Sequence, residues 1–162
     1  MLDIQVAITG AAGQGIQTVG DIVSYTVLSA GYPVITSKEY ESRIRGGKSS
    51  YRMRIKDKPP GALRERFDVL LALSEDAKTH YQSLLGSNGT LLNLPFSDIA
   101  KQTGGSVLYA NSVAAGALVS TLGIEFPILA EVIRQMFAKK GREVAQANVT
   151  AVSYTHLTLP TN

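Results

Sequence analysis

Residues 4–16 read Ile4-Gln5-Val6-Ala7-Ile8-Thr9-Gly10-Ala11-Ala12-Gly13-Gln14-Gly15-Ile16, and this stretch decides the fold. Residues 4–9 form a short apolar run that predicts a buried strand. The glycine-rich segment after it predicts a tight turn, and the apolar spacing of residues 16–30 predicts a helix that ends at Gly31. Residues 33–36 predict a second strand. This order is a βαβ unit, which implies a parallel strand pair with a right-handed crossover.

The rest of the chain extends this unit into an α/β fold. Residues 51–56 alternate between apolar and basic side chains, which predicts a strand with one buried face. Residues 68–73 form a continuous apolar run, typical of a strand buried on both faces. Further strands are predicted at 90–93 and 106–109, and helices at 74–85, 96–103, 112–121 and 127–140. We therefore predict a single domain with a three-layer αβα fold and a Rossmann-like, mostly parallel sheet of about five to six strands.

The composition excludes several function classes. The 162 residues are 44% apolar and 18% charged, as in ordinary globular domains. No window approaches the roughly 18 to 20 apolar residues of a membrane span, and the first residues lack signal-peptide features, so we expect a cytoplasmic protein without a membrane partner. The chain has no cysteine, which excludes disulfides, thiolate nucleophiles and cysteine-ligated clusters. His80 and His156 show no ligand spacing with carboxylates, so we predict no metal site.

Basic residues are concentrated in one part of the chain. Eight of the sixteen Lys and Arg residues lie between residues 38 and 58, where only Glu39, Glu41 and Asp57 oppose them. Such a stripe attracts phosphates, nucleic acid or an acidic partner. The alternative interpretation is a solvated strand face. The basic members of the stripe are Lys38, Arg43, Arg45, Lys48, Arg52, Arg54, Lys56 and Lys58.

Within this stripe, residues 39–50 read Glu39-Tyr40-Glu41-Ser42-Arg43-Ile44-Arg45-Gly46-Gly47-Lys48-Ser49-Ser50. The segment combines two arginines, two carboxylates and a Gly-Gly pair just before a predicted strand. These groups are costly to bury unpaired and add little to an apolar core. The segment therefore predicts a site for an anion or a surface for a partner.

The glycine turn has two interpretations. Its place between a strand and a helix suits a phosphate loop, with Gly10, Gly13, Gln14 and Gly15 as candidate binding residues. However, its spacing is GxxGxG and differs from that of nicotinamide enzymes, and it lacks the Lys-Ser/Thr of a P-loop. No acidic residue stands at the end of the second predicted strand to hold a ribose. A turn needed only for tight strand–helix packing therefore remains an equal alternative.

Taken together, the two motifs resemble the γ component of the 2-oxoacid:ferredoxin oxidoreductases, the pyruvate/ketoisovalerate oxidoreductase catalytic domain family. The resemblance spans about residues 4 to 151. The opening Gly-Ala-Ala-Gly-Gln-Gly looks most like the branch in which γ is fused ahead of the α domain. Its matching parts are residues 8–17, 39–49, 54–55 and 68–73, with Asn111, Asn148 and Ala151.

The resemblance also suggests domain limits. Residues 1–152 would be the γ domain, truncated from a longer chain that continues beyond Val152. Residues 153–162 carry no charge and show no helical period, and they resemble the translated sequencing-adapter run that ends some metagenomic reading frames. We therefore expect this tail to be non-native. The alternative interpretation is a genuine C-terminal strand.

The resemblance implies a complex that decarboxylates a 2-oxoacid on thiamine diphosphate, passes electrons through iron–sulfur clusters to ferredoxin, and transfers the acyl group to coenzyme A. This chain lacks both the Gly-Asp-Gly…Asn-Asn signature for thiamine diphosphate with magnesium and any cysteine. We therefore expect no catalytic residue here, with those cofactors held by α and β partners in a hetero-oligomer. The chain alone is expected to hold none of them, although coenzyme A is possible.

On this reading, Arg43 and Arg45 with the Gly46-Gly47 backbone bind the phosphates of coenzyme A or line the route to the thiamine site. Glu39 and its neighbour Glu41 would orient the arginines. The alternative is that Glu39, Arg43 and Arg45 form an ion-pair network that joins the γ component to its α and β partners.

Other polar and aromatic residues have simpler interpretations. His80 is expected to be a helix-surface residue, Tyr40 and Tyr51 packing residues, and Asn111 a helix cap rather than a substrate contact. Two other functions remain open. One is a free-standing Rossmann-type module that binds NAD(P) or adenylate at residues 10–15. The other is a nucleic-acid binder that uses the basic stripe, although no RNP or helix-turn-helix pattern is present and we expect no nucleic acid.

Overall fold

The computed structural model describes residues 1–41 and 47–158. The chain divides into two compact units. The sheet unit comprises residues 1–20 and 31–94, and the helical unit comprises residues 21–30 and the chain from Pro95 onward. The helix that follows the glycine turn therefore contributes residues to both units.

The elements of the sheet unit follow the order predicted from the sequence. Its strands are β1 (Asp3–Ala11), β2 (Val34–Tyr40), β3 (Lys48–Lys56), β4 (Phe67–Ala72) and β5 (Leu85–Leu92). Its helices are the start of α1 (Ile16–Ser29) and α2 (Glu75–Tyr81), and a short 3₁₀ turn covers residues 82–84. Ser74 caps α2 as predicted, because its side chain accepts a hydrogen bond from the amide of Ala77 at 3.2 Å.

The five strands form one mixed sheet in the order β2-β3-β1-β4-β5. β3 is antiparallel to both β2 and β1, whereas the β1–β4 and β4–β5 pairs are parallel. Four of the five strands therefore run in one direction, which agrees with the prediction of a mostly parallel sheet of about five to six strands. The predicted pairing of β1 with β2 is wrong, because β3 returns along β2 and takes the place between them.

The alternation predicted for β3 is confirmed. Tyr51, Met53 and Ile55 are buried, whereas the basic side chains between them are partly exposed. Ile8 of β1 lies opposite Tyr51, so the buried face continues across the neighbouring strand. At Gly20 in α1 an added Cβ would overlap the ring of Tyr51, so only glycine lets this helix approach the strand so closely.

An ion pair fixes the amino-terminal end of β1. The guanidinium of Arg54 donates to both carboxylate oxygens of Asp3, at 2.9 and 2.8 Å, and a third N–H donates to the carbonyl of Ala62 at 2.7 Å. This bidentate pair lowers the pKa of Asp3 to about 2. Arg64 also lies beside Asp3, at 3.7 Å, and joins it to Asp68 of β4.

The helical unit contains the end of α1, α3 (Phe96–Gly104), α4 (Ala110–Thr121), α5 (Phe126–Phe137) and α6 (Arg142–Thr158). Short 3₁₀ turns cover residues 107–109 and 138–140. α4 is rich in small residues and buried from Ser112 to Ser120. It packs closely on α6, because a Cβ at Gly116 would meet side-chain atoms of Val152 and Thr155 at 2.7 and 2.8 Å.

Buried polar side chains join α4 to α6. The hydroxyl of Ser112 donates to Oδ1 of Asn148 at 2.6 Å, and Nδ2 of Asn148 donates to the carbonyl of Val144 at 2.9 Å. The hydroxyl of Thr155 lies 3.2 Å from the carbonyl of Val113. These bonds satisfy polar groups that would be costly to bury unpaired.

Two predictions about this part of the chain are wrong, and one helix was not predicted. Residues 107–109 form a 3₁₀ turn and no strand, and Leu108 within it is 81% exposed. Asn111 does not cap α4, because the helix begins at Ala110 and no side chain accepts a capping bond there. Helix α6 was not predicted, and it continues through residues 153–158, which showed no helical period in the sequence.

Within residues 1–41 and 47–158, no helix combines the length and apolar character needed to cross a membrane.

Replacing Gly20 with alanine should destabilise the protein. Alanine favours a helix by about 1 kcal/mol over glycine, but the overlap with the buried ring of Tyr51 should cost about 1–3 kcal/mol more than that gain. Urea unfolding of Gly20→Ala measures the difference. Gly61→Ala is the matched control, because a Cβ there meets no atom within 4 Å. Equal stability of the two variants would contradict the close approach of α1 to β3.

Asp3 should make stability depend on acid. Its pKa is 3.8 in the unfolded reference and about 2 in the folded protein, so its contribution is present above pH 3.8 and is lost as the pH falls towards about 2. Asp3→Asn should therefore flatten the loss of thermal stability across this window. The exposed turn residue Asp57 provides the control variant Asp57→Asn. The Arg54 pair does not act as described if both variants follow the wild-type profile.

Candidate functional site

The structure brings several of the predicted site residues together at one edge of the sheet unit. The glycine turn follows the carboxyl end of β1, and Gly47 immediately precedes β3. The amide of Ala12 donates to the carbonyl of Gly47 at 3.2 Å, so the two motifs are in direct contact. Asn111 belongs to the helical unit. The predicted residues Arg43, Arg45 and Gly46 lie outside the described residues.

A cavity of about 360 Å³ lies beside the glycine turn. It is bounded by the turn, the start of α1, the end of β2 and the start of β3. Its lining consists of Ala11, Ala12, Gly13, Gly15, Ile16, Gln17, Lys38, Tyr40, Ser49, Ser50 and Tyr51. The sequence predicted the glycine wall of this cavity, and the strand wall became visible only with the fold.

The backbone of the turn requires two of its glycines. Gly13 and Gly15 have φ values of 85° and 80°, in the left-handed region that side chains disfavour. Gly10 is extended, but a Cβ there would lie 2.7 Å from Oε1 of Gln14. The turn thus depends on glycine both for its conformation and for its packing.

Gln14 makes hydrogen bonds within the turn. The side-chain oxygen of Gln14 accepts a hydrogen bond from the backbone amide of Ala11 at 2.6 Å. The backbone amide of Gln14 donates to the carbonyl of Ala11 at 3.2 Å. Gln14 therefore braces the turn internally and is absent from the cavity lining. The glycines Gly13 and Gly15 line the cavity directly, and their role in binding stays a prediction.

The strand wall supplies a cation and aromatic surface. Lys38 lies with its ammonium 5.4 Å from the centroid of the Tyr51 ring. Tyr51 is a packing residue as predicted, with 4% of its surface exposed, but Tyr40 is 67% exposed and its predicted packing role is wrong. The hydroxyl of Tyr40 lies 3.5 Å from Oε1 of Gln17 at the start of α1.

Most strand cations of the basic stripe are paired on the sheet. Arg52 lies 3.0 Å from Glu39, Arg54 lies 2.8 Å from Asp3, and Lys56 lies 4.0 Å from Asp3. Of the two carboxylates, Glu39 was counted within the stripe, whereas Asp3 lies on β1 and comes into contact only through strand pairing. Within the described residues Glu39 thus pairs with Arg52, and its predicted role towards Arg43 and Arg45 stays a prediction.

A second polar cluster lies at the base of the hairpin that joins β2 to β3. The amide of Glu41 donates to the carbonyl of Lys48 at 3.0 Å. His80 of α2 lies with Nε2 at 3.2 Å from Oε1 of Glu41 and with Nδ1 at 3.4 Å from Nζ of Lys48. His80 is an exposed residue of α2 as predicted, and the contacts with Glu41 and Lys48 are additional to that prediction. No spacing in the sequence marked this contact, because the partners are 32 or more residues away.

The chemistry available at the cavity is recognition. Backbone amides at the start of α1, one lysine and exposed aromatic surface suit a ligand that combines an anionic group with a flat ring. In the part of the chain that the structure describes, no group of three or more His, Asp or Glu side chains could hold a metal ion. The cavity lining likewise contains no paired acid and base.

Two curated proteins resemble this chain over most of its length. The sequence is 29% identical over 160 residues to 2-oxoglutarate synthase subunit KorC of Archaeoglobus fulgidus, which covers 90% of this chain and 84% of the relative. It is 30% identical over 136 residues to the 2-oxoacid:ferredoxin oxidoreductase subunit alpha of Sulfolobus sp., which covers 84% of this chain and 18% of the relative. The chain thus spans most of one subunit and less than a fifth of another.

Solved structures share the fold. A 2-oxoglutarate:ferredoxin oxidoreductase from Magnetococcus marinus, with 2-oxoglutarate, coenzyme A and succinyl-CoA bound, superposes with a TM-score of 0.84 at 25% identity. That match covers 100% of this chain and 32% of the other. The gamma subunit of a keto/oxoacid ferredoxin oxidoreductase from Geobacter sulfurreducens matches with a TM-score of 0.77 at 23% identity, over 95% and 96% of the chains, which supports the fold alone.

These matches confirm the three-layer α/β fold class predicted from the sequence. The predicted enzyme class, an oxidoreductase that works with ferredoxin, is the class of these relatives. Residues 5–156 match the family described as pyruvate ferredoxin/flavodoxin oxidoreductase. The match includes nearly the whole chain and confirms the resemblance carried by the two motifs. The chain therefore belongs to the pyruvate ferredoxin/flavodoxin oxidoreductase family.

Proposed function

We propose that this chain is the γ component of a 2-oxoacid:ferredoxin oxidoreductase and that its sheet unit binds the phosphate-bearing part of coenzyme A. The observation that carries the proposal is the cavity at which the glycine turn, Lys38 and the exposed ring of Tyr40 meet. Family membership supports it, as does the coenzyme A bound in the relative from Magnetococcus marinus.

The physical basis is complementarity of charge and shape. Coenzyme A carries several phosphate charges and an adenine ring. The residues Gly13, Gly15 and Ile16 line the cavity at the start of the fourteen-residue helix α1, where backbone amides favour anions. Lys38 adds a positive charge without an acidic partner among the described residues. Tyr40 offers a face on which a base can stack.

The hairpin would complete this site. Gly47 contacts the glycine turn through Ala12, so the start of β3 adjoins the cavity. Arg43 and Arg45, with the backbone of Gly46 and Gly47, would grip phosphate oxygens, and guanidinium groups suit this role. The competing proposal for the same arginines is an ion-pair network with Glu39 that joins the subunits.

The remaining chemistry would belong to partners. In the proposed complex, α and β components hold thiamine diphosphate, magnesium and the iron–sulfur clusters, and electrons reach ferredoxin from there. This chain would contribute assembly and ligand recognition but no catalytic residue. A hetero-oligomer in the cytoplasm, a γ domain over residues 1–152 and a non-native tail over residues 153–162 are parts of the same proposal.

Other functions have less support. A free-standing module for NAD(P) would have the nicotinamide-type glycine spacing, which this turn lacks. A nucleic-acid binder would expose its cations, whereas Arg52, Arg54 and Lys56 each have a carboxylate partner on the sheet. We therefore assign the carbon chemistry and the electron transfer to the whole complex, and the binding of an anion to this chain.

Calorimetric titration of the purified chain with coenzyme A tests the proposal. We expect saturable binding that Lys38→Ala weakens about tenfold, because a hydrogen bond to a charged group contributes about 1.5 kcal/mol or more. Lys58→Ala removes the same charge from an exposed turn and should change the affinity little. 3′-Dephospho-coenzyme A and NADH serve as comparison ligands.

Three outcomes would count against a coenzyme A site at this cavity. The first is no binding of coenzyme A by the chain. The second is equal weakening by Lys38→Ala and Lys58→Ala, which would indicate general charge attraction. The third is tighter binding of NADH than of coenzyme A, which would favour a dinucleotide module.

A further inference from the structure

We propose that His80 is a positioning residue, which fixes the base of the β2–β3 hairpin against helix α2. The inference rests on the proposed function, since the hairpin carries Arg43 and Arg45. It adds a residue from a third element, which neither motif contains, to the determinants of the site.

The base of the hairpin consists of Glu41 and Lys48. Their backbones are joined because the amide of Glu41 donates to the carbonyl of Lys48 at 3.0 Å. In return, the amide of Lys48 donates to Oε2 of Glu41 at 3.3 Å. The second carboxylate oxygen, Oε1, is therefore available for another donor, and His80 lies against it.

The imidazole of His80 bridges both residues at once. Nε2 lies 3.2 Å from Oε1 of Glu41, and Nδ1 lies 3.4 Å from Nζ of Lys48. A neutral ring with its hydrogen on Nε2 satisfies both contacts, because Nε2–H donates to the carboxylate and Nδ1 accepts from the ammonium. One side chain that is donor and acceptor in opposite directions thus joins the two strand ends.

His80 also connects the base of the hairpin to the core of the sheet unit. It precedes Tyr81 in α2, and the two rings contact edge to face with centroids 4.7 Å apart. Tyr81 is 6% exposed and packs in a cluster with Ala7, Phe67 and Leu70, and burial raises the pKa of its hydroxyl. A buried core residue therefore contacts the imidazole directly.

The hairpin base is consequently held from two sides. On one side the amide of Ala12 in the glycine turn donates to the carbonyl of Gly47 at 3.2 Å. On the other side His80 contacts Glu41 and Lys48. The strand ends on either side of residues 42–46 are thus fixed relative to both the glycine turn and α2. We infer that loss of His80 lets these strand ends move without unfolding the sheet.

An arginine-specific protease measures this directly, because Arg43 and Arg45 lie between the strand ends. His80→Ala should raise the initial cleavage rate after these arginines about fivefold, the factor expected for loss of one hydrogen bond. His80→Gln keeps a donor and an acceptor on one side chain and should restore most of the protection. Lys78→Ala is the matched control, because it removes an exposed contact of α2 with Glu75.

Several outcomes of this cleavage experiment would contradict the proposal. His80→Ala cleaved at the wild-type rate would overturn the proposal. A parallel rise after Arg134 or Arg142 would indicate general destabilisation, and failure of His80→Gln to protect better than His80→Ala would exclude the bridging role. If His80→Ala does not fold, Glu41→Gln provides the test, since it weakens the same contact and should also raise cleavage.

This outcome is separable from that of the proposed function. Protection that depends on His80 in a chain that does not bind coenzyme A would refute the ligand and leave the positioning role intact. Coenzyme A binding with unaltered cleavage in His80→Ala would refute the positioning role and leave the proposed ligand intact.

Discussion

The pairing of β3 with β1 is the constraint on which the rest of the sheet unit depends. Nine consecutive residue pairs, from Asp3 opposite Lys56 to Ala11 opposite Lys48, align the two strands along their whole length. Because they are antiparallel, the carboxyl end of β1 lies beside the start of β3. The glycine turn and the β2–β3 hairpin therefore meet at one edge, although about thirty residues separate them in sequence.

Both ends of this register are secured by different interactions. Asp3 and Arg54 form a bidentate ion pair at one end, and Ala12 donates to Gly47 at the other. Between them, the ring of Tyr51 occupies the space that a side chain at Gly20 would need. A shift by one residue would turn the apolar face of β3 towards the solvent, so the register is strongly specified. The position of the hairpin follows from the same pairing.

Much of the fold could be predicted from local patterns. The glycine turn, the alternation of residues 51–56 and the apolar run of residues 68–73 each identified an element with its buried face. The order of strands could not be predicted, because it depends on a hairpin whose connecting residues were interpreted as a binding motif. The strand predicted at residues 106–109 is wrong because the short apolar run of residues 107–109 does not distinguish a strand from a helical turn. Helix α6 was not predicted because Asn148 and Thr155, which are polar, lie on its buried side.

The site was predicted less completely, and the reason is distance along the chain. The glycines Gly13 and Gly15 could be found because a local turn requires them. The sequence does not show that Lys38 lies over the ring of Tyr51 or that His80 contacts Glu41 and Lys48. Only the folded sheet brings these residues into contact. The charge of the basic stripe was counted correctly, but its neutralisation by Asp3 depends on strand pairing.

A nitrogen-15 amide spectrum of the chain, recorded during titration with coenzyme A, tests the central claim most directly. If the cavity beside the glycine turn is the ligand site, amide shifts should concentrate at residues 11–17, 38–41 and 47–51. The helices α5 and α6 should remain unchanged. Shifts centred on those helices, or no saturable shift at any residue, would contradict the account.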